Sequence, residues 1–248
     1  MRKTLLIAAA ALAASVISSQ AQVYSQNIVG YVNTPLPTGF VNIANPLDAS
    51  GSNNSITNVI NVFSGTYDGA GIYIWNGAGY SQYTIDSGWS SGIGNAADTA
   101  QVNPPPTLAP GVGIFINNTT GNSNTLTFVG TVLIDSAGAS TNVVGIVTNH
   151  LATGFTFVAS KLPIAGGLNS VMQLPVASTL LDGAGIYVPN IFGGAVHGFF
   201  QYTVDSGWSS GFGNAADTAM ATEPIIPVGT GFFINNTTGS AVNWVQSL

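Results

Sequence analysis

The sequence predicts an all-β protein, built as a tandem duplication of two six-stranded sandwich- or barrel-like units. Three observations carry that expectation. Short runs alternate apolar and polar residues with period two, as in Ile72-Tyr73-Ile74-Trp75, where the two Ile fall on one face and the aromatics on the other. Gly, Asn and Pro punctuate these runs at short intervals, the mark of many strands joined by tight turns. Long stretches also recur at an offset between 114 and 119 residues.

The elements follow in order. Met1-Arg2-Lys3, the apolar run Leu5 to Ile17 and the small residues of Ser19-Gln20-Ala21 have the three-part layout of a secretory signal peptide (residues 1–21), with cleavage expected after Ala21. The run is short for a membrane-spanning helix, and no later stretch is long and apolar enough to be one. The first repeat occupies residues 22–136 and the second residues 137–248. Strands are expected near 28–33, 40–45, 72–76, 80–85, 112–117 and 125–132, and again near 143–148, 155–160, 185–189, 198–204, 230–235 and 241–247. Ile114-Phe115-Ile116 and Phe232-Phe233-Ile234 are β-branched and aromatic, which suits a pleated surface. Asn76-Gly77 signals a tight hairpin in which both turn positions take positive φ. One short helix per repeat fits Ser55 to Val62 and Leu168 to Leu174. Two copies of this size fit either two small domains or one pseudo-symmetric domain.

The repeats are unevenly alike. Gln82 to Ala100 recurs as Gln201 to Ala219 with changes only at Ile85/Val204 and Ile93/Phe212, whereas positions 27–47 and 142–162 agree at 10 of 21 places. The largest insertion, Phe192 to His197, lengthens one turn of the second repeat.

Composition narrows function. The 248 residues hold 3 Lys+Arg, 9 Asp+Glu, 2 His and no Cys, with 46% hydrophobic residues. The chain can therefore bury a large core, but it cannot build the basic stripe a nucleic acid needs. Zero Cys removes disulfides, thiolate metal sites and a cysteine nucleophile. Once a signal is removed, Lys161 is the one remaining basic side chain.

A resemblance enters with four segments: Gly39-Phe40-Val41-Asn42-Ile43-Ala44-Asn45-Pro46-Leu47, Tyr73-Ile74-Trp75-Asn76-Gly77, Leu108-Ala109-Pro110-Gly111-Val112-Gly113-Ile114-Phe115-Ile116 and Thr125-Leu126-Thr127-Phe128-Val129-Gly130. Their order resembles the duplicated β modules of secreted and cell-surface bacterial proteins of the Verrucomicrobia and Planctomycetes. The second repeat departs from the pattern at Ser160-Lys161, in place of Asn-Pro, and at Pro189, in place of Trp75. The resemblance implies a secreted or surface location in a bacterium and no known catalytic residues.

Few residues suggest chemistry. His150 and His197 have no counterparts in the other repeat, lack carboxylates at metal-ligand or catalytic spacing, and read as turn histidines. Within the near-identical segment, Asp86, Asn95 and Asp98, and their counterparts Asp205, Asn214 and Asp217, are oxygen donors of the kind calcium takes; the same residues also suit capped turns. Calcium is the one cofactor the sequence suggests. Tyr73, Trp75, Tyr80 and Tyr83 crowd one hairpin and offer flat rings on which sugars stack, or they belong to the core. The expected function is that of an exported, non-enzymatic structural or surface protein, serving as matrix, adhesion or self-assembling filament subunit. Its partners would be further copies of itself or surface polysaccharide. The alternative is a carbohydrate-binding module.

Overall fold

The computed structural model describes residues 29–49, 53–133, 146–192 and 195–248, and within those bounds the chain is almost entirely β. The expected signal peptide, the junction between the repeats and part of the second-repeat insertion lie outside the described residues. No helix among the described residues is long and apolar enough to cross a membrane.

The first half contains β1 (Val29–Leu36), β2 (Gly39–Ala44), β3 (Gly71–Trp75), β4 (Tyr80–Ile85), β5 (Ile93–Asn95), β6 (Gly113–Asn118) and β7 (Asn124–Thr131), with a short α-helix, α1 (Ile56–Val59), and a 3-10 turn at Val62–Ser64. Strands β2-β6-β3-β4-β5 form one antiparallel sheet, and β1-β7 form a two-stranded ribbon. The second half contains β8 (Ile146–Leu151), β9 (Gly154–Val158), β10 (Gly166–Gly167), β11 (Gly185–Phe192), β12 (Ala195–Val204), β13 (Phe212–Asn214), β14 (Ile225–Ile226), β15 (Phe232–Asn236) and β16 (Val242–Ser247). Its sheet, β9-β15-β11-β12-β13, has the corresponding strand order, and β8-β16 form the corresponding ribbon.

Alternation builds two separate cores. Val41, Ile43, Ile72, Ile85, Ile93, Ile114 and Ile116 line one face of the first sheet and pack on Leu36, Leu126 and Phe128 of the ribbon, with Ile56, Val59 and Ile60 closing one end. Phe232, Ile234, Ile186, Val204 and Phe212 do the same in the second half against Leu151, Val242 and Trp244. Burying these side chains, at roughly 1.5–3 kcal/mol each, holds each half without disulfides.

The halves differ from expectation in three ways. Among the described residues they hold seven and nine strands, not six each, because β5, β13 and the two-residue pair β10-β14 are added. Strands of two or three residues carry too few alternations to register as a pattern. Leu168 to Leu174 is a turn instead of a helix. Gly166 has φ +152° and Gln173 φ +60°, so the run is broken at both ends. Glu223 pins the turn by accepting the Asn169 and Ser170 N–H groups. Finally, the β3–β4 loop has four residues, since Trp75 pairs with Tyr80. Asn76 shapes it by side chain, its Oδ1 accepting the N–H of Ala78 at 3.2 Å and of Gly79 at 2.9 Å, and Gly77 alone takes positive φ, at +97°.

The outer faces of the two sheets meet each other. Ala44 N–H donates to Gly229 O at 2.8 Å, and Ala159 N–H donates to Gly111 O at 2.9 Å, so each sheet edge binds a turn of the opposite half. Asn42 spans the junction with its amide, donating to Gly231 O at 2.7 Å and accepting from Gly231 N at 2.8 Å. The backbones approach closely here: a Cβ on Gly231 would lie 3.0 Å from Gly113 Cα, and one on Gly113 would lie 2.9 Å from the Phe157 ring. Side chains at either position would force the sheets apart.

Candidate functional site

Between the two outer faces lies a cluster of aromatic rings. The alternation that sends Ile72 and Ile74 inward sends Tyr73 and Trp75 outward, and the register sets Tyr73 beside Phe115 and Trp75 beside Tyr80. In the second half Tyr187 lies beside Phe233, and Phe199 lies beside Pro189. At the centre three rings stack. Phe157 lies 4.9 Å from Phe115 and 4.3 Å from Phe233, with interplanar angles of 25° and 10°. All three are buried.

Two open clefts flank this stack, with Phe115 lining one and Phe233 the other. The first, about 410 Å³, is lined by Phe40, Tyr73, Tyr80 and Phe115 of the first half and by Val196 of the second. The second, about 250 Å³, is lined by Phe155, Tyr187, Phe199 and Phe233 of the second half and by Trp75 of the first. Each cleft is thus made by one sheet and completed by a hairpin of the other half. Trp75 is fixed in this role by its indole N–H, which donates to Phe155 O at 3.0 Å, and by edge-on contact with Phe233 at 5.5 Å. The second half has Pro189 where the first has Trp75, and its longer hairpin supplies Val196 instead.

The clefts are apolar with polar handles only at the rim. Tyr73 OH accepts from Gln82 Nε2 at 3.1 Å. Burial raises the pKa of Tyr80 above its ordinary value. Neither lining contains a charged side chain. Phe40 is 44% exposed and Phe155 43%, so a ring face is open to solvent in each cleft. Such open, flat, uncharged walls can stack a ligand ring but cannot neutralise a charged one.

Of the four rings singled out in the sequence, Tyr73 and Tyr80 share the first cleft and Trp75 closes the second. Tyr83 falls on the opposite face of β4 and packs against the first core. The sequence reading missed Phe40, Phe115, Phe155, Phe199 and Phe233. The aromatic-out, aliphatic-in pattern of Ile114-Phe115-Ile116 is the signal that leads to them.

The near-identical segment forms a hydrogen-bonded loop in both halves. Asp86 Oδ1 accepts the Gly88 N–H at 2.7 Å, Asn95 Oδ1 the Thr99 N–H at 2.9 Å and Asp98 Oδ1 the Trp89 indole N–H at 3.0 Å. Asp205, Asn214 and Asp217 repeat this with Gly207, Thr218 and Trp208. Among the described residues, no group of three or more His, Cys, Asp or Glu side chains is placed to hold a metal ion. Asp68 accepts both the N–H and the hydroxyl of Ser87, at 2.9 and 2.7 Å, and so ties this loop to the preceding turn. His150 Nδ1 lies 3.0 Å from Asn243 Oδ1 across the second ribbon. Lys161 Nζ donates to Thr148 O at 2.6 Å, and burial lowers its pKa. No family model, curated protein or solved structure matches the chain.

Proposed function

We propose that the chain is an exported, non-enzymatic surface protein whose role is adhesion, with the two aromatic clefts stacking on the rings of neutral surface polysaccharide. The observation that carries this reading is the pair of uncharged clefts, each presenting exposed aromatic faces between the two halves. Stacking on a sugar's apolar face needs flat rings and an open approach, with hydroxyls left to water or to rim groups such as Tyr73 and Gln82. The commitment of Asp86 and Asp98 to hydrogen bonds within their loop, and of Asp68 to Ser87 of that loop, supports a non-catalytic role. Co-sedimentation with insoluble neutral polysaccharides (cellulose, chitin, β-1,3-glucan) tests it. Retention on at least one is expected. Phe40→Ala combined with Phe155→Ala removes an exposed ring from each cleft and should weaken retention about tenfold. Retention on none of them, or retention unchanged in the double variant, overturns the reading.

A second reading, a self-assembling structural subunit, is favoured by a separate observation. Val29, Tyr31 and Val129 stand exposed together on the outer face of the β1-β7 ribbon.

A further inference from the structure

The two clefts are neighbours, joined through Phe199 and through the contact of Trp75, of the second, with Tyr80, of the first, at 5.2 Å. Val196, in the first cleft, and Phe199, in the second, stand on either side of a β-bulge in β12, which turns both toward the clefts. Phe199 packs edge-on against Phe115 at 6.4 Å and against Phe233 at 5.8 Å. It nevertheless remains 41% exposed. The boundary between the clefts is therefore an open aromatic ridge, not a wall of buried chain.

We infer that the two clefts form one continuous track for an extended, neutral glycan chain, with Phe199 as the ridge the chain crosses; this rests on the glycan reading above. A single ring can use only one cleft, whereas an oligomer uses both. The second contact is then intramolecular, and affinity rises with ligand length without any new kind of contact. Charge fixes the class of chain. The linings are uncharged, and Lys161 is the one basic side chain among the described residues. Uronate- or sulfate-bearing chains would thus enter without a counter-charge.

Isothermal titration of the intact protein with cellohexaose, laminarihexaose and maltohexaose, each beside its disaccharide, tests the inference. For at least one series, the hexasaccharide should bind at least about tenfold tighter than the disaccharide, with one hexasaccharide per chain. Phe199→Ala should shrink that gap to less than about threefold, because the oligomer loses its bridge. Phe200→Ala, which strips the neighbouring ring on the other face of β12, should leave the gap unchanged. The wild-type stoichiometry stands as a readout independent of how well either variant folds. Two hexasaccharides per chain, each bound no more tightly than a disaccharide, overturn the track and leave the glycan reading in place. A gap that survives Phe199→Ala does the same. No binding of any hexasaccharide overturns both. A concentration-dependent dimer that Phe199→Ala abolishes would assign the clefts to a second copy of the chain, and overturns both as well.

Discussion

Asp98 and Asp217 hold left-handed backbone, with φ of +53° and +54°, in corresponding places of the two loops. This conformation disfavours most side chains, and Asp and Asn tolerate it best after Gly. Each carboxylate also accepts an indole N–H, from Trp89 at 3.0 Å and from Trp208 at 3.4 Å. One residue type thus meets two requirements, a strained turn and an acceptor for tryptophan. Asn meets both as well. Asp98→Asn should therefore change stability little, whereas Asp98→Ala should cost about 1–2 kcal/mol, from the lost hydrogen bond and the backbone penalty. Urea denaturation reads the difference. Because the Oδ1 atoms of Asp86 and Asp98 already accept hydrogen bonds in the loop, adding calcium or a chelator should leave the wild-type melting temperature where it is. A calcium-dependent rise that Asp98→Asn blunts would make the loop a cation site instead.

At the scale of elements, the strands were legible and their partners across the molecule were not. Period-two runs such as Ile72-Tyr73-Ile74-Trp75 place strand and inner face, because burial of one face imposes the alternation. The same runs say nothing about what covers the outer face. Tyr73 and Tyr83 are alike in sequence, yet one lines a cleft and the other packs against a core, since ten residues is an even number of strand steps only without the intervening loop. Asn42 shows the limit most plainly. In the sequence it is a polar residue in a strand, whose counterpart in the second half is Phe157. In the fold both fill the junction, Asn42 by bonding Gly231 and Phe157 by covering Gly113. Asn42→Ala leaves the Gly231 N–H and C=O unpaired in a buried junction, so a loss of about 1–3 kcal/mol is expected. Asn42→Asp should fare no better. The carboxylate can accept from Gly231 N but has no proton to give Gly231 O, and a charge would be buried without a partner. Recovery of wild-type stability by Asp would show that the amide's donor half contributes nothing.

For the whole molecule, the scarcity of charge bears on assembly. Among the described residues Lys161 is the only basic side chain, and it lies partly buried against Thr148 O. Proteins commonly guard sheet edges with lysines and outward charges; here backbone does that work. The β5 edge is covered by its own chain, Asn95 N–H donating to Ala100 O and Val102 N–H to Ile93 O, both at 2.9 Å, and β13 is covered likewise by Ala219 and Ala221. The β2 and β9 edges bind turns of the opposite half. The β1-β7 ribbon is different: its outer face carries Tyr31, 72% exposed, directly across from Val129, with Val29 beside them. With little charge to keep copies apart, association is expected to run through this ribbon and not through the five-stranded sheets. Tyr31→Lys places a charge in the middle of the apolar stripe without touching either core. Light scattering on concentrated protein should show assemblies for the wild type and a shift toward monomer for Tyr31→Lys, with the melting temperature nearly unchanged. Wild-type protein that stays monomeric at every concentration, with no fibres by negative stain, sinks the assembly reading. Assemblies that persist in Tyr31→Lys but disappear in Phe199→Ala would move the contact from the ribbon to the aromatic clefts.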